Sequence, residues 1–262
     1  MTTPDAEPRE RGGILVTRGM GLSIPAGGLT IAMGPDGLKA EPLTVHVSLS
    51  MWLHWLEIAM SHLDEAQAQH AALLRARDDG GDVGGPLEAE SRAAMQAVVA
   101  AAIAIDSLYA LAKDKITLPA GLTASWRQKG TARYRQVTEV FRRAFCLKKQ
   151  GTANVRLVMK EIYRFRDLAV HPQGTSTAPV LHPDLGSGTE WRFVAFRFEN
   201  ARQIVRSALA YVKILPSRPM DRATEPMQQL AKDLLSLGEP LVSAWDERYG
   251  ALLDEALPTD PN

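Results

Sequence analysis

The stretch Glu161-Ile162-Tyr163-Arg164-Phe165-Arg166-Asp167-Leu168-Ala169-Val170-His171-Pro172 decides how this chain is read. It closes a segment, Thr152 to Val170, whose apolar residues recur at helical spacing. At 100° per residue Val155, Val158, Ile162, Phe165 and Ala169 share one stripe, the expected core face. Met159, Tyr163, Arg166 and Val170 fall on a second, largely apolar flank, and Arg156, Lys160, Arg164 and Asp167 on the polar side. Arg166 thus interrupts an apolar lane, where a guanidinium is costly unless something pairs with it. Two apolar flanks on one helix predict packing within the monomer and against a second copy. His171 precedes Pro172, which disfavours helical geometry at the histidine. The imidazole then stands at a helix C-terminus among arginines, a place suited to proton transfer.

Outward from this helix, the pattern predicts a mainly α protein that begins with a small antiparallel β-sheet. Residues 1–12 read as a disordered tail, too polar and proline-rich to pack. Residues 13–49 form the sheet region. Ile14 to Thr17 and Leu29 to Met33 are rich in β-branched and apolar residues, and Gly27-Gly28 and Gly34-Pro35-Asp36-Gly37 supply turns. Leu43, Val45, Val47 and Leu49 alternate as in a half-buried strand.

Residues 50–262 form a helical bundle, and the whole chain reads as one domain. Ser50 to about Arg77 is amphipathic, Asp78 to Pro86 is a linker, and Leu87 to Lys115 is an alanine-rich central helix. Thr131 to Lys149 makes a third helix, after which Gly151 and Thr152 stop one helix and cap the next. The loop from Pro172 to about Thr189 lacks any period. Glu190 to Phe198 alternates like a strand, Ala201 to Leu215 is helical, and Pro226 marks the first turn of a last helical region that Gly238-Glu239-Pro240 interrupts.

Composition excludes several classes. Apolar residues make up 45% and charged residues 23%, as in ordinary globular domains. The longest apolar run, Ala97 to Ile105, is too short to span a bilayer, so no membrane association is expected. The N-terminus lacks a secretory pattern and Cys146 is the lone cysteine, which together predict a reducing cytoplasm and a packed thiol. Net charge is zero, yet between Trp126 and Arg166 twelve basic residues face only Glu139 and Glu161, a local excess of +10. Such asymmetry marks a footprint for a polyanion, or basic and acidic helices that pair within one fold.

Arg166-Asp167-Leu168-Ala169-Val170-His171 resembles the arginine, polar residue and histidine signature of HEPN domains. The helices over about 87–215 look like the HEPN-like bundle that carries it. The early strands and the last helix lie outside the resemblance. The likeness implies a metal-independent endoribonuclease that acts as a homodimer on single-stranded RNA in the cytoplasm, as a toxin or defence effector with a neutralising partner protein. It assigns Arg166, His171 and Asp167 to catalysis and needs neither metal nor cofactor. His171 suits proton transfer and Arg166 the charge developing on a phosphorane. Asp167 would orient either group or bridge the dimer. Attack by the ribose 2′-hydroxyl would leave a cyclic phosphate, and Arg133, Arg135, Arg142, Arg143, Lys160 and Arg164 would bind the RNA backbone. A second reading is a non-catalytic HEPN-like dimer that binds a partner protein or nucleotide, with Arg166 paired to Asp167 or to a carboxylate of the other copy.

Other patterns carry less. His46, His54, His62 and His70 recur every eight residues but spiral round a helix axis, so they are not expected to form a ligand set. His182-Pro183-Asp184 lacks a third strong ligand nearby and reads as loop chemistry. Gly19 and Gly21 are not followed by the third glycine of a dinucleotide fingerprint. Trp52 and Trp55 are expected in the core, and Trp126, Tyr134 and Trp191 either stack bases or meet cations. No helix-turn-helix pairing supports a DNA-binding role.

Overall fold

A computed structural model of the chain describes residues 15–29, 31–34, 37–40, 43–171 and 177–253. The predicted tail, 1–12, lies outside them. The chain divides into two compact units at Ser50/Met51.

In the first unit β1 (Met20–Ser23) pairs antiparallel with β4 (His46–Leu49), and β2 (Ile31–Gly34) pairs with β3 (Gly37–Ala40). The expected single sheet is thus two separate two-stranded ladders. Gly34 opposes Gly37, so the β2–β3 register leaves a two-residue connection. Gly28 must be glycine: its carbonyl accepts the Thr44 N–H at 2.8 Å, and a Cβ there would lie 3.0 Å from the Thr44 carbonyl oxygen. The predicted half-buried strand is a correction, because β4 is exposed along its length. Two-stranded ladders that do not join cannot build a common buried face.

The second unit is a helical bundle, and the protein is mainly helical. Its helices are α1 (Met51–Asp78), α2 (Gly84–Asp114), α3 (Leu122–Gln128), α4 (Arg133–Ala144), α5 (Lys149–Val170), α6 (Trp191–Ala195), α7 (Phe198–Ile214) and α8 (Glu225–Tyr249). α1 and α2 form a hairpin across the short link 79–83, and α2 runs through the centre against α1, α4, α5 and α7. Its run of buried alanines, including Ala94, Ala97, Ala101 and Ala104, lets neighbours approach on several sides. By length and composition α2 could cross a membrane, with mean hydropathy 1.7 over its best window, but 56% of that window is buried inside the bundle. Trp52, Phe141, Met159, Leu209 and Trp245 fill the core around it. Trp55 and Trp126 pack at its edge.

Several boundaries moved. The helix expected over 131–149 ends at Ala144, and Lys149 starts the next. Thr152 sits inside the first turn of α5, where its hydroxyl donates to the Lys148 carbonyl at 2.9 Å. Leu147 N–H bonds the Arg142 carbonyl at 2.9 Å, which places Cys146 at φ 52°. The same closure after α3 uses Gly130, at φ 56°, with Thr131 N–H on the Trp126 carbonyl. Cys146 occupies a glycine position, and its thiol is exposed rather than packed.

The strand expected over 190–198 is instead α6 and the start of α7. Glu190 accepts the Arg192 N–H at 2.7 Å and caps a helical turn, so Phe196 and Phe198 are buried from a helical entry. Gly238 to Pro240 does not interrupt α8. The helix continues because Leu234, Gly238, Leu241, Val242 and Trp245 keep one buried face, at the cost of the hydrogen bond Pro240 cannot donate. In the long loop, residues 172–176 lie outside the described residues, and 177–189 form a small hairpin of β5 (Val180–Leu181) and β6 (Gly188–Thr189).

Candidate functional site

The end of α5 carries the Arg166 motif. The core face of α5 is Val155, Met159, Ile162 and Tyr163, centred between the two flanks read from sequence. Met159 and Tyr163, expected to face a second copy, are buried in their own bundle. What stays open on the other side is a groove of about 340 Å³ between α5 and α7, lined by Leu157, Val158, Phe165 and Ile204.

The Arg166 side chain is 27% exposed. Its Nε and Nη2 donate to Asp167 Oδ1 at 3.0 and 2.6 Å, and the guanidinium lies 5.0 Å from the Tyr163 ring centroid. Nη1 is 3.9 Å from Asp106 Oδ2, too far for a hydrogen bond. Asp106, on α2, holds this corner together. Its Oδ1 accepts the Tyr163 hydroxyl at 2.6 Å and Arg133 Nε at 2.7 Å, and Arg133 stacks 4.0 Å from the Tyr109 ring. Burial, then the Asp106 carboxylate, raises the Tyr163 hydroxyl far above its ordinary range, so it stays a neutral donor. Burial pulls Arg133 down, but the Asp106 bond outweighs it and the net shift is upward.

His171 caps α5 in extended geometry at φ −112°, ψ 93°, as the following proline dictates. Its backbone N–H donates to the Asp167 carbonyl at 3.0 Å. The imidazole is exposed and has no hydrogen-bond or ion-pair partner among the described residues.

The cations assigned to RNA binding divide into three groups. Arg142 and Arg143 both close on Glu139, at 2.8 and 2.6 Å, and Arg142 then Arg143 hold that carboxyl below its ordinary range. Arg164 pairs with Glu161 at 2.8 Å and lies over Phe165. Arg133 belongs to Asp106. Arg135 and Lys160 are exposed, with no carboxylate in ion-pair range among the described residues. Together with Arg156 they surround Tyr134, whose hydroxyl accepts Arg135 Nε at 3.1 Å. That bond, with the nearby cations, pulls the phenol below its ordinary range. Trp191 meets Arg192 at 5.0 Å, a cation–π contact.

A second constellation joins residues that are far apart in sequence. His70 on α1 lies between two carboxylates, with Nδ1 3.1 Å from Glu90 Oε1 and Nε2 3.2 Å from Glu199 Oε1. Glu90, on α2, is 1% exposed and its Oε1 also accepts the Phe198 N–H at 2.7 Å, which caps α7. Arg197 bridges Glu199 at 3.1 Å and Asp184 at 2.9 Å. His182, in the 177–189 hairpin, is completely buried, and its Nδ1 accepts the Asp184 N–H at 3.3 Å. It is thus interior and not loop chemistry. Burial drives the Glu90 carboxyl up and the His182 imidazole down, each toward its neutral form.

This cluster escaped the sequence reading, although a signal existed. His70 shares its helical lane with Trp52, Leu56, Ala59, Leu63 and Ala66, and Glu90 shares one with Ala94, Ala97, Ala101 and Ile105. Those are polar residues in apolar lanes, the same feature that singled out Arg166.

The described residues therefore define a mainly α-helical bundle protein that carries one exposed arginine–histidine helix end and one buried histidine–carboxylate cluster. No family model matches the chain, and no curated protein or solved structure is significantly similar to it.

Proposed function

We propose that the protein is a metal-independent endoribonuclease of HEPN type that acts on single-stranded RNA as a homodimer. The observation that carries this reading is the placement of Arg166: a guanidinium held at the open end of α5 by Asp167, with Nη1 outside hydrogen-bond range of Asp106. An anion arriving there meets a pre-oriented donor next to an exposed imidazole at His171 that is unengaged among the described residues. In the reaction His171 takes the 2′-hydroxyl proton or supplies the proton to the leaving 5′-oxygen, and Arg166 stabilises the phosphorane between them. Asp167 orients the guanidinium. The surface of Tyr134, Arg135, Arg156 and Lys160 offers cations and an aromatic face to an extended strand. Exposed Val170, beside the motif, is the apolar contact available to a second copy. The biological role as a toxin or defence effector, neutralised by a partner protein, rests on the resemblance of the motif alone.

The test is cleavage of end-labelled single-stranded RNA in chelator, with circular dichroism showing a folded chain in the same buffer. Arg166→Ala and His171→Ala should each lower cleavage by about 10²-fold or more, and the products should end in a cyclic phosphate. Cleavage that survives both substitutions rejects the mechanism.

A specific observation also favours the second reading, a non-catalytic dimer that binds a partner protein or nucleotide. Arg166 is already paired with Asp167, Arg142 and Arg143 share the Glu139 carboxylate, and Arg164 pairs with Glu161. Retention on RNA across a salt series separates the two, because phosphate contacts weaken steeply with salt.

A further inference from the structure

We propose that His70, Glu90 and Glu199 bind a divalent first-row transition-metal ion. One donor atom from each of the three residues lies within 4.8 Å of the others, close enough for a single ion to gather them with small side-chain rotations. The residues come from three helices, so the ion would join α1, α2 and the first turn of α7.

One buried ligand atom points to a missing occupant. Glu90 Oε2 belongs to a carboxylate that is 1% exposed, and it has no hydrogen-bond partner among the described residues. Buried polar groups are nearly always satisfied, so an unsatisfied carboxylate oxygen beside His70 needs an explanation.

The donor set selects the ion. Imidazole nitrogen with carboxylate oxygen and no thiolate suits Zn²⁺, Mn²⁺, Fe²⁺ or Co²⁺ over Ca²⁺, Mg²⁺ or Cu⁺. Glu199 is 46% exposed and gives the ion a way in. The site shares no residue with the Arg166, Asp167 and His171 motif.

The experiment uses the full chain, stripped with chelator and dialysed, then titrated with Zn²⁺ by calorimetry and with Co²⁺ by visible absorption. One ion per chain is expected, with intense Co²⁺ d–d bands. Hundredfold Zn²⁺ excess over Kd should raise Tm by about 5 °C or more. Glu90→Gln and Glu199→Gln should lose these responses, and His62→Gln should keep them. The proposal is overturned if the wild-type chain shows neither Co²⁺ bands nor a Zn²⁺-dependent Tm. Undiminished binding by Glu90→Gln or Glu199→Gln, which would put the ion on surface histidines, overturns it too. Should Glu90→Gln fail to fold, the wild-type titrations and Glu199→Gln decide the matter.

Discussion

The end of α5 and the cluster around His70 are opposites. At the first, chemistry-bearing residues are neighbours in sequence, and its charges are satisfied locally: Arg166 by Asp167, Arg164 by Glu161. At the second, the residues come from α1, α2, the 177–189 hairpin and α7, and Glu90 Oε2 and His182 Nε2 are buried without hydrogen-bond partners among the described residues. A motif compact in sequence can therefore be relaxed in space, and one scattered in sequence can be under electrostatic stress. Removing a group should cost function at the first region and stability at the second.

The largest expected effect is catalytic. His171→Ala and Arg166→Ala should each lower RNA cleavage by about 10²–10⁴-fold, measured under single-turnover conditions. Stability should barely change, by less than about 1 kcal/mol in urea denaturation, because a partly exposed ion pair contributes little. A large stability loss in Arg166→Ala would erase the contrast between the regions.

Glu90→Ala should cost about 3 kcal/mol in the same measurement, since it strands the Phe198 N–H and the His70 imidazole in the interior. A loss no greater than that of Arg166→Ala would show that the cluster bears no special strain. Asp106→Ala lies between the two. It removes the acceptor shared by Tyr163 and Arg133 and should cost about 2 kcal/mol.

Glu139 supplies a pH test. Its folded-state carboxyl is held below the ordinary 4.5 by Arg142 and Arg143, so its stabilisation is complete above that value and fades as pH falls through the folded one. Glu139→Gln should therefore cost about 1 kcal/mol at pH 7, and the difference from wild type should vanish in strong acid. The smallest effect concerns Cys146. Cys146→Gly should stabilise the chain by up to about 1 kcal/mol in urea, because glycine adopts positive φ without steric cost.

Much of the bundle was legible because long helices announce themselves by period. Met51–Asp78 and Gly84–Asp114 lie within a few residues of the expected spans, and His171 adopts the extended geometry that Pro172 imposes. Glu190 to Phe198 misled because aromatic alternation mimics a strand, while Glu190 as a cap favoured a short helix. Pro240 misled because tertiary packing on one face of α8 outweighed a local breaker. The two flanks of α5 were visible, but whether a flank meets its own bundle or another copy depends on α2 and α4, which periodicity cannot place. The His70 cluster was hidden by distance: Glu90 and Glu199 are 109 residues apart, and only the α7 cap brings them to one imidazole.

The left-handed turn between α4 and α5 has a practical outcome. It presents the sole thiol of the chain on the surface, at a backbone position fixed by two flanking helices. Wild-type protein thus carries one ready attachment point for a nitroxide. In a twofold assembly, dipolar spectroscopy would read a single label-to-label distance with no mutagenesis, whereas a monomer would give none.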